Sequence, residues 1–400
     1  MALWYLVLLL TNSSTLNMWH TSEILISESN VANNIEFIRS AAGKNTIFSS
    51  VVKGNAYGHG IDVFVPIAQR CGVNHFSVFS TNEAYRVKKV ARPNTTIMIM
   101  GMVDNEALEW VIEEEIEFYV FETDRLEKAK AAAEKVGKKA RIHLEIETGM
   151  NRTGMSLGLL PQVFQYLKDH KNLIEYVGLC THYAGAESNS NYYRIQNQIK
   201  TFRQVIEQGK ERKITPNLYH TACSAALLSF PETKMDLVRV GILQYGYWPS
   251  KETLIRCLNE LDETHDPLRR AVKWRSKIMS IKEVPAGDFV GYGTSYLTEQ
   301  DMTIAAVPVG YAYGYTRSLS NQGRVLIHGK RMSVIGIVNM NMILVDVTLI
   351  DGVKKGDEVV LIGGQGDLTI SVDSFGQLSS QLNYELLTRL PQNTPRIVVS

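Results

Sequence analysis

The chain has 400 residues, 45% of them hydrophobic and 21% charged, a balance typical of a globular protein with room for two domains. The formal net charge of +1 gives no strong attraction to nucleic acid or anionic membranes, so we expect neither as a partner. The four cysteines, at positions 71, 180, 223 and 257, lack the spacing of metal ligands or of a redox motif. They indicate a reduced compartment and no metal site.

The N-terminal segment is apolar but short. Trp4–Leu10 cannot span a bilayer, and it lacks the basic region and the small-residue cleavage site of a secretory signal. We therefore favour a cytoplasmic location, with export as the alternative. Residues 1–17 are interpreted as an extension of the fold, either disordered or due to an early start codon.

Strand-like and helix-like segments alternate eight times between residues 28 and 262. Amphipathic stretches such as Asn30–Ala42 and Tyr192–Lys210 separate the strand-like runs. This rhythm predicts an α/β fold, a (β/α)8 TIM-type barrel rather than an open doubly wound sheet. The eight predicted strands are Ile47–Lys53, His75–Phe79, Thr96–Met100, Glu117–Phe121, Ala140–Ile146, Ile174–Thr181, Asn217–Thr221 and Asp236–Gly241.

Residues 263–400 have a different pattern, with short alternating strands and glycine turns. This pattern predicts a C-terminal, mainly antiparallel β domain. The charged run Lys354–Glu358 is interpreted as a hairpin turn between two of its strands. The predicted strands are Val272–Val284, Met302–Val309, Arg324–Ile327, Met332–Val338, Met342–Val347 and Glu358–Ile362.

The polar residues most relevant to chemistry follow the predicted barrel strands, at the end where barrel enzymes hold their active sites. Lys53 ends the first strand, in the glycine-rich decapeptide Val51–Gly60, whose backbone can turn sharply. A shielded lysine can lose its proton near neutral pH and form a Schiff base with a carbonyl compound. Ser224 follows the seventh strand and Arg239 lies in the eighth, where barrels commonly bind phosphate. Schiff-base aldolases share this layout, so it does not by itself name a cofactor.

The decapeptide Val51–Gly60 resembles the cofactor-lysine motif of the alanine racemase family, fold-type III enzymes that use pyridoxal 5′-phosphate. By this resemblance Lys53 carries the cofactor covalently. Further segments match the family in the same order from residue 18 onward. They are His143–Gly154, Thr181–Gly185, His220–Ala226, Val238–Ile242, Val290–Tyr296, Val307–Gly314, Ile335–Thr348 and Ile370–Glu385.

The resemblance implies two catalytic bases, one on each face of the substrate. Lys53 would serve the D-side and Tyr292 the L-side, with His182 and Arg239 assisting a phenol whose ordinary pKa near 10 makes it a poor base at pH 7. Arg239 would contact the pyridine nitrogen of the cofactor, to which an arginine cannot give up its proton. Related barrel decarboxylases carry a carboxylate there, so Arg239 favours a racemase.

The resemblance also implies cofactor-binding residues. Tyr57 and Ser224, with the backbone of Gly241 and Ile242, would bind the phosphate, and His182 would lie against the cofactor ring.

Substrate-binding residues are implied in the same way. Arg152 would hold the substrate carboxylate or the phenolic oxygen of the cofactor, Tyr311 would line the entrance, and Met340 would offer its backbone N–H. In the family Tyr292, Tyr311 and Met340 act on the barrel of the partner subunit, which implies a head-to-tail homodimer with shared active sites. The strand within residues 18–27 would pack on the C-terminal β domain.

Four positions depart from the family pattern. Glu145 stands where many members have a carbamylated lysine, Asn341 replaces an aspartate, Cys223 replaces an asparagine, and Gln392 replaces a tyrosine. Glu145 would hold Arg152 through a bidentate ion pair; the alternative is that it pairs on the barrel exterior.

These features predict an enzyme that interconverts L- and D-alanine. The alternatives are a racemase for another small amino acid such as serine, a barrel decarboxylase, and a non-catalytic barrel protein that binds pyridoxal 5′-phosphate. Such carriers lack the C-terminal region that holds Tyr292.

Overall fold

The computed structural model describes residues 20–379 and 383–400. The extension predicted at residues 1–17 lies outside the described residues, as do the first two residues of the strand expected within 18–27. The described chain forms two compact units. The barrel unit contains Ile26–Val272, Leu387–Arg389 and Val398–Ser400, and the β unit contains the described residues up to Leu25 with Lys273–Leu386 and Leu390–Ile397.

Strands and helices alternate through the first part of the chain. The described strands are β1 Ser22–Ser27, β2 Ile47–Val51, β3 His75–Val78, β4 Thr96–Ile99, β5 Glu117–Val120, β6 Ala140–Glu145, β7 Ile174–Cys180, β8 Leu218–His220, β9 Leu237–Val240, β10 Val272–Lys277, β11 Ser280–Val284, β12 Met302–Val307, β13 Arg324–Ile327, β14 Lys330–Ile335, β15 Ile343–Asp346, β16 Glu358–Gln365, β17 Leu368–Ile370 and β18 Arg396–Val399. The described helices are α1 Glu28–Ala42, α2 Lys53–Tyr57, α3 Ile61–Arg70, α4 Thr81–Val90, α5 Leu108–Glu113, α6 Thr123–Val136, α7 Leu160–Asp169, α8 Tyr192–Glu211, α9 Ser224–Ser229, α10 Lys251–Leu261, α11 Val372–Ser379 and α12 Asn383–Thr388.

Within the described residues, eight strands form the core of the barrel unit, in the order β8-β7-β6-β5-β4-β3-β2-β9. Each paired neighbour is parallel. The Asp236 N–H donates to the Tyr219 carbonyl at 3.1 Å and the Arg239 N–H to the Ala222 carbonyl at 2.9 Å, which links β9 back to β8. The predicted (β/α)8 barrel is therefore confirmed, with each strand one or two residues shorter than predicted.

The helices of the barrel unit follow from sequence signals of capping and amphipathicity. The Ser27 hydroxyl accepts from the Asn30 N–H at 3.3 Å and caps the start of α1. Val31, Ile35 and Ile38 are buried, at the spacing that places them on one helical face. None of the helices that the structure describes is long and apolar enough to cross a membrane.

The β unit is built on a ten-stranded sheet in the described chain, with the order β11-β12-β15-β14-β13-β16-β10-β1-β18 and β17 paired to β16. Its pairings from β10 to β17 are antiparallel, which confirms the expected fold class.

Two expectations for the C-terminal region were wrong. The stretch predicted as one strand, Val272–Val284, is two: β10 lies between β16 and β1, whereas β11 lies at the sheet edge beside β12. The turn at Lys354–Glu358 exists, but the strands it joins, β15 and β16, do not pair with each other. The Gly356 N–H bonds the Ile278 carbonyl at 2.9 Å, so a contact with a distant segment fixes this turn, and a local sequence pattern cannot show such a contact.

Candidate active site

The Lys53 loop has an unusual backbone. After β2 the chain turns with positive φ at Gly54 (62°), Asn55 (55°), Ala56 (54°), Tyr57 (51°) and Gly58 (80°), so α2 is a left-handed turn. Such angles cost non-glycine residues about 1–2 kcal/mol each, and local hydrogen bonds offset that cost. The Ala56 N–H bonds the Val52 carbonyl at 2.7 Å, and the Asn55 side-chain oxygen accepts from the Ile61 N–H at 3.1 Å. The prediction that this decapeptide turns sharply is confirmed.

A segment far along the chain packs on this loop, which sequence reasoning missed. Leu387–Arg389 belongs to the barrel unit. A Cβ added to Gly58 would overlap the Leu387 carbonyl, and one added to Gly54 would lie 3.1 Å from a Thr388 methyl carbon. Both glycines also have positive φ. Glycine is therefore required twice here, for the turn and for the close approach.

The predicted phosphate-binding residues lie together. The Ser224 hydroxyl accepts from the Gly241 N–H at 3.0 Å, and a Cβ at Gly241 would lie 2.5 Å from the Tyr57 hydroxyl oxygen. Tyr57, Ser224 and Ile242 are all buried, and burial raises the pKa of Tyr57. The Tyr57 side chain is therefore a neutral phenol that can donate a hydrogen bond.

Arg239 is buried, with only 6% of its surface exposed. Its Nη1 donates to the Tyr119 hydroxyl at 2.7 Å, and its Nη2 donates to the carbonyls of Thr181 (2.7 Å) and Thr221 (2.8 Å). Burial by itself disfavours the charged guanidinium, but the Tyr119 phenol and neighbouring thiols raise its pKa above the usual value. Arg239 is thus a fixed, permanently charged donor, and sequence reasoning did not identify Tyr119 as its support.

Lys53, His182 and Arg152 lie close enough for the charge of Arg152 to affect the pKa of both Lys53 and His182. Burial first, then the charges of Arg152 and Arg239, lower the pKa of Lys53. Burial, Arg239, Arg152 and Lys53 together lower the pKa of His182 to about 3. Protein surrounds most of the Lys53 side chain, but part of Lys53 still reaches solvent, as Arg152 does, whereas His182 is half-buried. His182 is consequently a neutral imidazole at physiological pH.

Glu145 lies inside the barrel unit, with 4% of its surface exposed. The alternative that it pairs on the barrel exterior is wrong. Burial raises its pKa, while hydrogen bonding by Thr153 and then the charges of Arg239 and Arg152 oppose that rise. The expected bidentate pair is not formed, because Arg152 is exposed and no hydrogen bond joins these two described side chains.

The candidate residues of the β unit lie on its surface. Tyr292 is 73% exposed, Met340 55% and Tyr311 42%. The Ala312 N–H bonds the Met340 carbonyl at 2.9 Å, so Tyr311 and Met340 are neighbours. Asn341 and Gln392, two of the positions that depart from the family pattern, are also exposed.

Comparison with known proteins identifies the family. The sequence pattern described as "Alanine racemase, N-terminal domain" matches residues 26–249, and that described as "Alanine racemase, C-terminal domain" matches residues 271–398. The alanine racemase of Leptospira interrogans is 33% identical over 393 residues, which are 97% of this chain and 98% of the relative. This chain belongs to the alanine racemase family.

Solved structures agree with the alanine racemase assignment. The alanine racemase from Streptomyces lavendulae superposes with a TM-score of 0.86 at 29% identity, covering 95% of this chain and 97% of that one. The alanine racemase from Bartonella henselae, a structure with covalently bound pyridoxal phosphate, gives 0.82 at 25% identity, covering 95% of this chain and 100% of that one.

Proposed function

We propose that this protein interconverts L- and D-alanine with pyridoxal 5′-phosphate as its cofactor, using Lys53 and Tyr292 of the partner subunit as the two bases. The observation that carries the proposal is that Lys53, the buried Arg239 and the cluster of Tyr57, Ser224 and Gly241 all lie in the barrel unit, with the charge of Arg239 acting on Lys53. Membership of the alanine racemase family supports both the reaction and the cofactor.

The residues of this cluster fit the cofactor phosphate. The Ser224 hydroxyl accepts from the Gly241 N–H, so its own proton is free to be donated to a phosphate oxygen. Tyr57 supplies a second hydroxyl donor. The Cβ-free backbone at Gly241 lets Tyr57 lie close. When bound, pyridoxal 5′-phosphate makes the α-proton of an attached amino acid acidic.

Arg239 supports racemisation over decarboxylation. Two carbonyls and the Tyr119 hydroxyl fix its guanidinium, which keeps its protons at any physiological pH. Arg239 would donate a hydrogen bond to the cofactor ring nitrogen without protonating it. A carboxylate at this position would favour the opposite protonation state.

Lys53 and Tyr292 would move the α-proton. The lowered pKa of Lys53 increases the fraction of neutral amine that can accept a proton from the D-enantiomer. The neutral His182, near Lys53, can donate one hydrogen bond and accept another without adding a charge. Tyr292 would accept the proton from the L-enantiomer, on the opposite face.

The exposed residues of the β unit would complete the site of a second copy. Tyr292, Tyr311 and Met340 expose aromatic and apolar side chains, the kind of side chain that a protein partner commonly covers. A head-to-tail homodimer would place these three residues at the partner's barrel, where Met340 N–H and Arg152 would hold the substrate carboxylate.

Glu145 would act on Arg152 through charge and through its hydrogen bond with Thr153, the residue after Arg152. The charges of both Arg239 and Arg152 act on the Glu145 carboxylate and oppose the rise in its pKa that burial causes. It would thus balance two cations at the substrate-binding end of the barrel.

A chiral assay tests this function directly. The purified protein, supplied with pyridoxal 5′-phosphate, should be yellow and should racemise alanine faster than serine and other small amino acids. Lys53→Ala should lose both the visible absorption and the activity, whereas the exposed Lys44→Ala should keep both. Borohydride labelling of a different lysine, with the absorption retained in Lys53→Ala, would contradict the assignment.

A further inference from the structure

The barrel interior contains a buried carboxylate that the proposed reaction does not use. Glu117 on β5 is 3% exposed. It accepts from Arg141 Nη2 at 2.8 Å and from His143 Nε2 at 2.9 Å, and His75 Nε2 lies 3.6 Å away. Barrel interiors are usually filled by branched apolar side chains, and a buried charge is costly unless it is paired. Such an arrangement calls for a functional explanation.

A chain of hydrogen bonds leads from Glu117 across the barrel. His143 Nδ1 lies 2.9 Å from His220 Nε2, and both imidazoles are fully buried. A Cβ at Gly178 would overlap the His143 ring, so the glycine on the neighbouring strand makes room for this histidine. The path therefore runs from β5 through β6 to β8.

The carboxylate fixes the proton positions along this path. An ionised carboxylate only accepts, so His143 Nε2 must carry the proton. A neutral His143 then has a bare Nδ1, which accepts from the protonated Nε2 of His220. His220 is left with a bare Nδ1. Burial lowers the pKa of His143 and that of His220. Burial raises the pKa of Glu117, but the interactions with His143 and His75 outweigh it and lower that pKa, which supports these charge states.

The far end of the path lies beside Arg239. The Tyr119 ring is 6.1 Å from the ring of His143 and 6.1 Å from that of His220, and its hydroxyl holds Arg239 Nη1. Arg239 Nη2 bonds the carbonyl of Thr221, the residue after His220. Within the described chain, His220 Nδ1 and Arg239 Nε are buried atoms with no hydrogen-bond partner.

We propose that Glu117, His143 and His220 form a positioning relay for Arg239. The relay holds both imidazoles neutral, with the proton on Nε2. The group near the Arg239 guanidinium is then the unprotonated Nδ1 of His220, a hydrogen-bond acceptor, and not a second cation. Glu117 thereby helps to set the charge at the cofactor ring without touching it. The inference rests on the proposed function only for the role of Arg239.

The surrounding charges are consistent with this role. Glu117 faces Arg141, His75 and His143, and His220 faces Arg239, His143 and His75. His75 is anchored separately, with Nδ1 2.8 Å from the Ser49 hydroxyl. Among the described residues, no group of three or more His, Cys, Asp or Glu side chains has a geometry that could hold a metal ion.

Nitrogen NMR of the holoenzyme labelled with 15N-histidine tests the proton positions directly. His143 and His220, assigned by single His→Gln variants, should each show a protonated Nε2 and a bare Nδ1 from pH 6 to pH 8. Protonation of either ring in that range, or a protonated Nδ1, would overturn the relay. This measurement needs no racemase activity, so it stands apart from the proposed function.

The variant Glu117→Met removes the acceptor but keeps the side-chain length. Glu175→Met is the matched control, because Glu175 contacts the same Arg141 at 3.4 Å from a half-exposed position. In Glu117→Met the two imidazoles should show mixed tautomers, and the visible absorption of the cofactor should shift. The kcat should fall about tenfold with KM little changed, by analogy with metal sites, where loss of a hydrogen bond that supports a ligand typically costs at least that factor. Glu175→Met should match the wild type in all three. Wild-type tautomers in Glu117→Met, or altered tautomers with an unchanged cofactor spectrum, would contradict the proposal.

Discussion

The barrel unit and the β unit present their candidate residues in opposite ways. In the barrel unit, Tyr57, Ser224 and Arg239 are at least nine-tenths buried, and each is held by contacts inside that unit. In the β unit, Tyr292 is 73% exposed and Met340 55%. The candidate residues of the barrel unit are thus held in place before any ligand binds, whereas those of the β unit, as we propose, act only when a second copy covers them.

The largest effect is expected from the β unit. Tyr292→Phe would remove the proposed L-side base, so α-proton exchange of L-alanine with deuterated solvent should fall by about 10²–10⁴, while exchange of D-alanine at Lys53 should persist. Tyr193→Phe is the control, because Tyr193 is 78% exposed but lies on α8 of the barrel unit. Equal losses from both enantiomers would contradict the division between two bases.

Acid should destabilise the protein through the barrel unit. His182 has an ordinary pKa near 6.5 in the unfolded chain and a pKa of about 3 in the folded protein. Between pH 7 and pH 5 the unfolded state therefore binds a proton at His182 that the folded state does not bind. The free energy of unfolding in urea should therefore fall from pH 7 to pH 5, by roughly 2 kcal/mol for this residue. Glu145, with its raised pKa, acts in the opposite direction. His182→Gln should reduce the pH dependence; an unchanged dependence would show that His182 is not held neutral.

The proposed binding of the cofactor phosphate by Tyr57, Ser224 and Gly241 predicts that position 241 of the barrel unit requires glycine. Gly241→Ala places a Cβ 2.5 Å from the Tyr57 hydroxyl, and overpacking of this kind typically costs 1–3 kcal/mol, so the affinity for pyridoxal 5′-phosphate should fall about tenfold. Gly158→Ala is the matched control, because nothing lies within 4 Å of a Cβ there. If a cofactor titration gave equal affinities for the two variants, Gly241 would not be part of the phosphate-binding site.

The smallest effect concerns Glu145. Glu145→Gln keeps the shape of the side chain and removes the charge near Arg152, so KM for alanine should rise about fivefold, equivalent to about 1 kcal/mol, with little change in the cofactor spectrum. The exposed Glu134→Gln on α6 serves as the control. A KM equal to that of the control would show that the Glu145 charge does not reach the substrate.

Sequence patterns predicted the barrel well because its signals are local. Each predicted strand recurs within two residues, and the glycines of Val51–Gly60 do adopt positive φ at 54, 58 and 60. What the sequence could not show depends on contacts between distant segments. Leu387 packs against Gly58, and Tyr119 supports Arg239 over 120 positions.

Polar residues within predicted strands were also difficult to interpret. Glu117 and His143 lie in short strands that are almost entirely buried, and nothing in either strand alone predicts that a carboxylate and an imidazole meet inside the barrel. The same limit explains Glu145. Its position in the sequence predicted a partner seven residues on, whereas the fold places it nearer to Thr153 and to the field of Arg239.

Subunit complementation tests the central claim, that the two units contribute to one site across a dimer. Lys53→Ala and Tyr292→Phe are each inactive in racemisation by this account. Mixed after dissociation and reassociation, half of the dimers should contain one chain of each kind, with one intact site and one doubly altered site. The mixture should recover about a quarter of wild-type activity, as expected for random pairing in a two-fold dimer. If the two residues act within one chain, every site stays singly altered, and the absence of any recovered activity in mixed dimers would contradict the account.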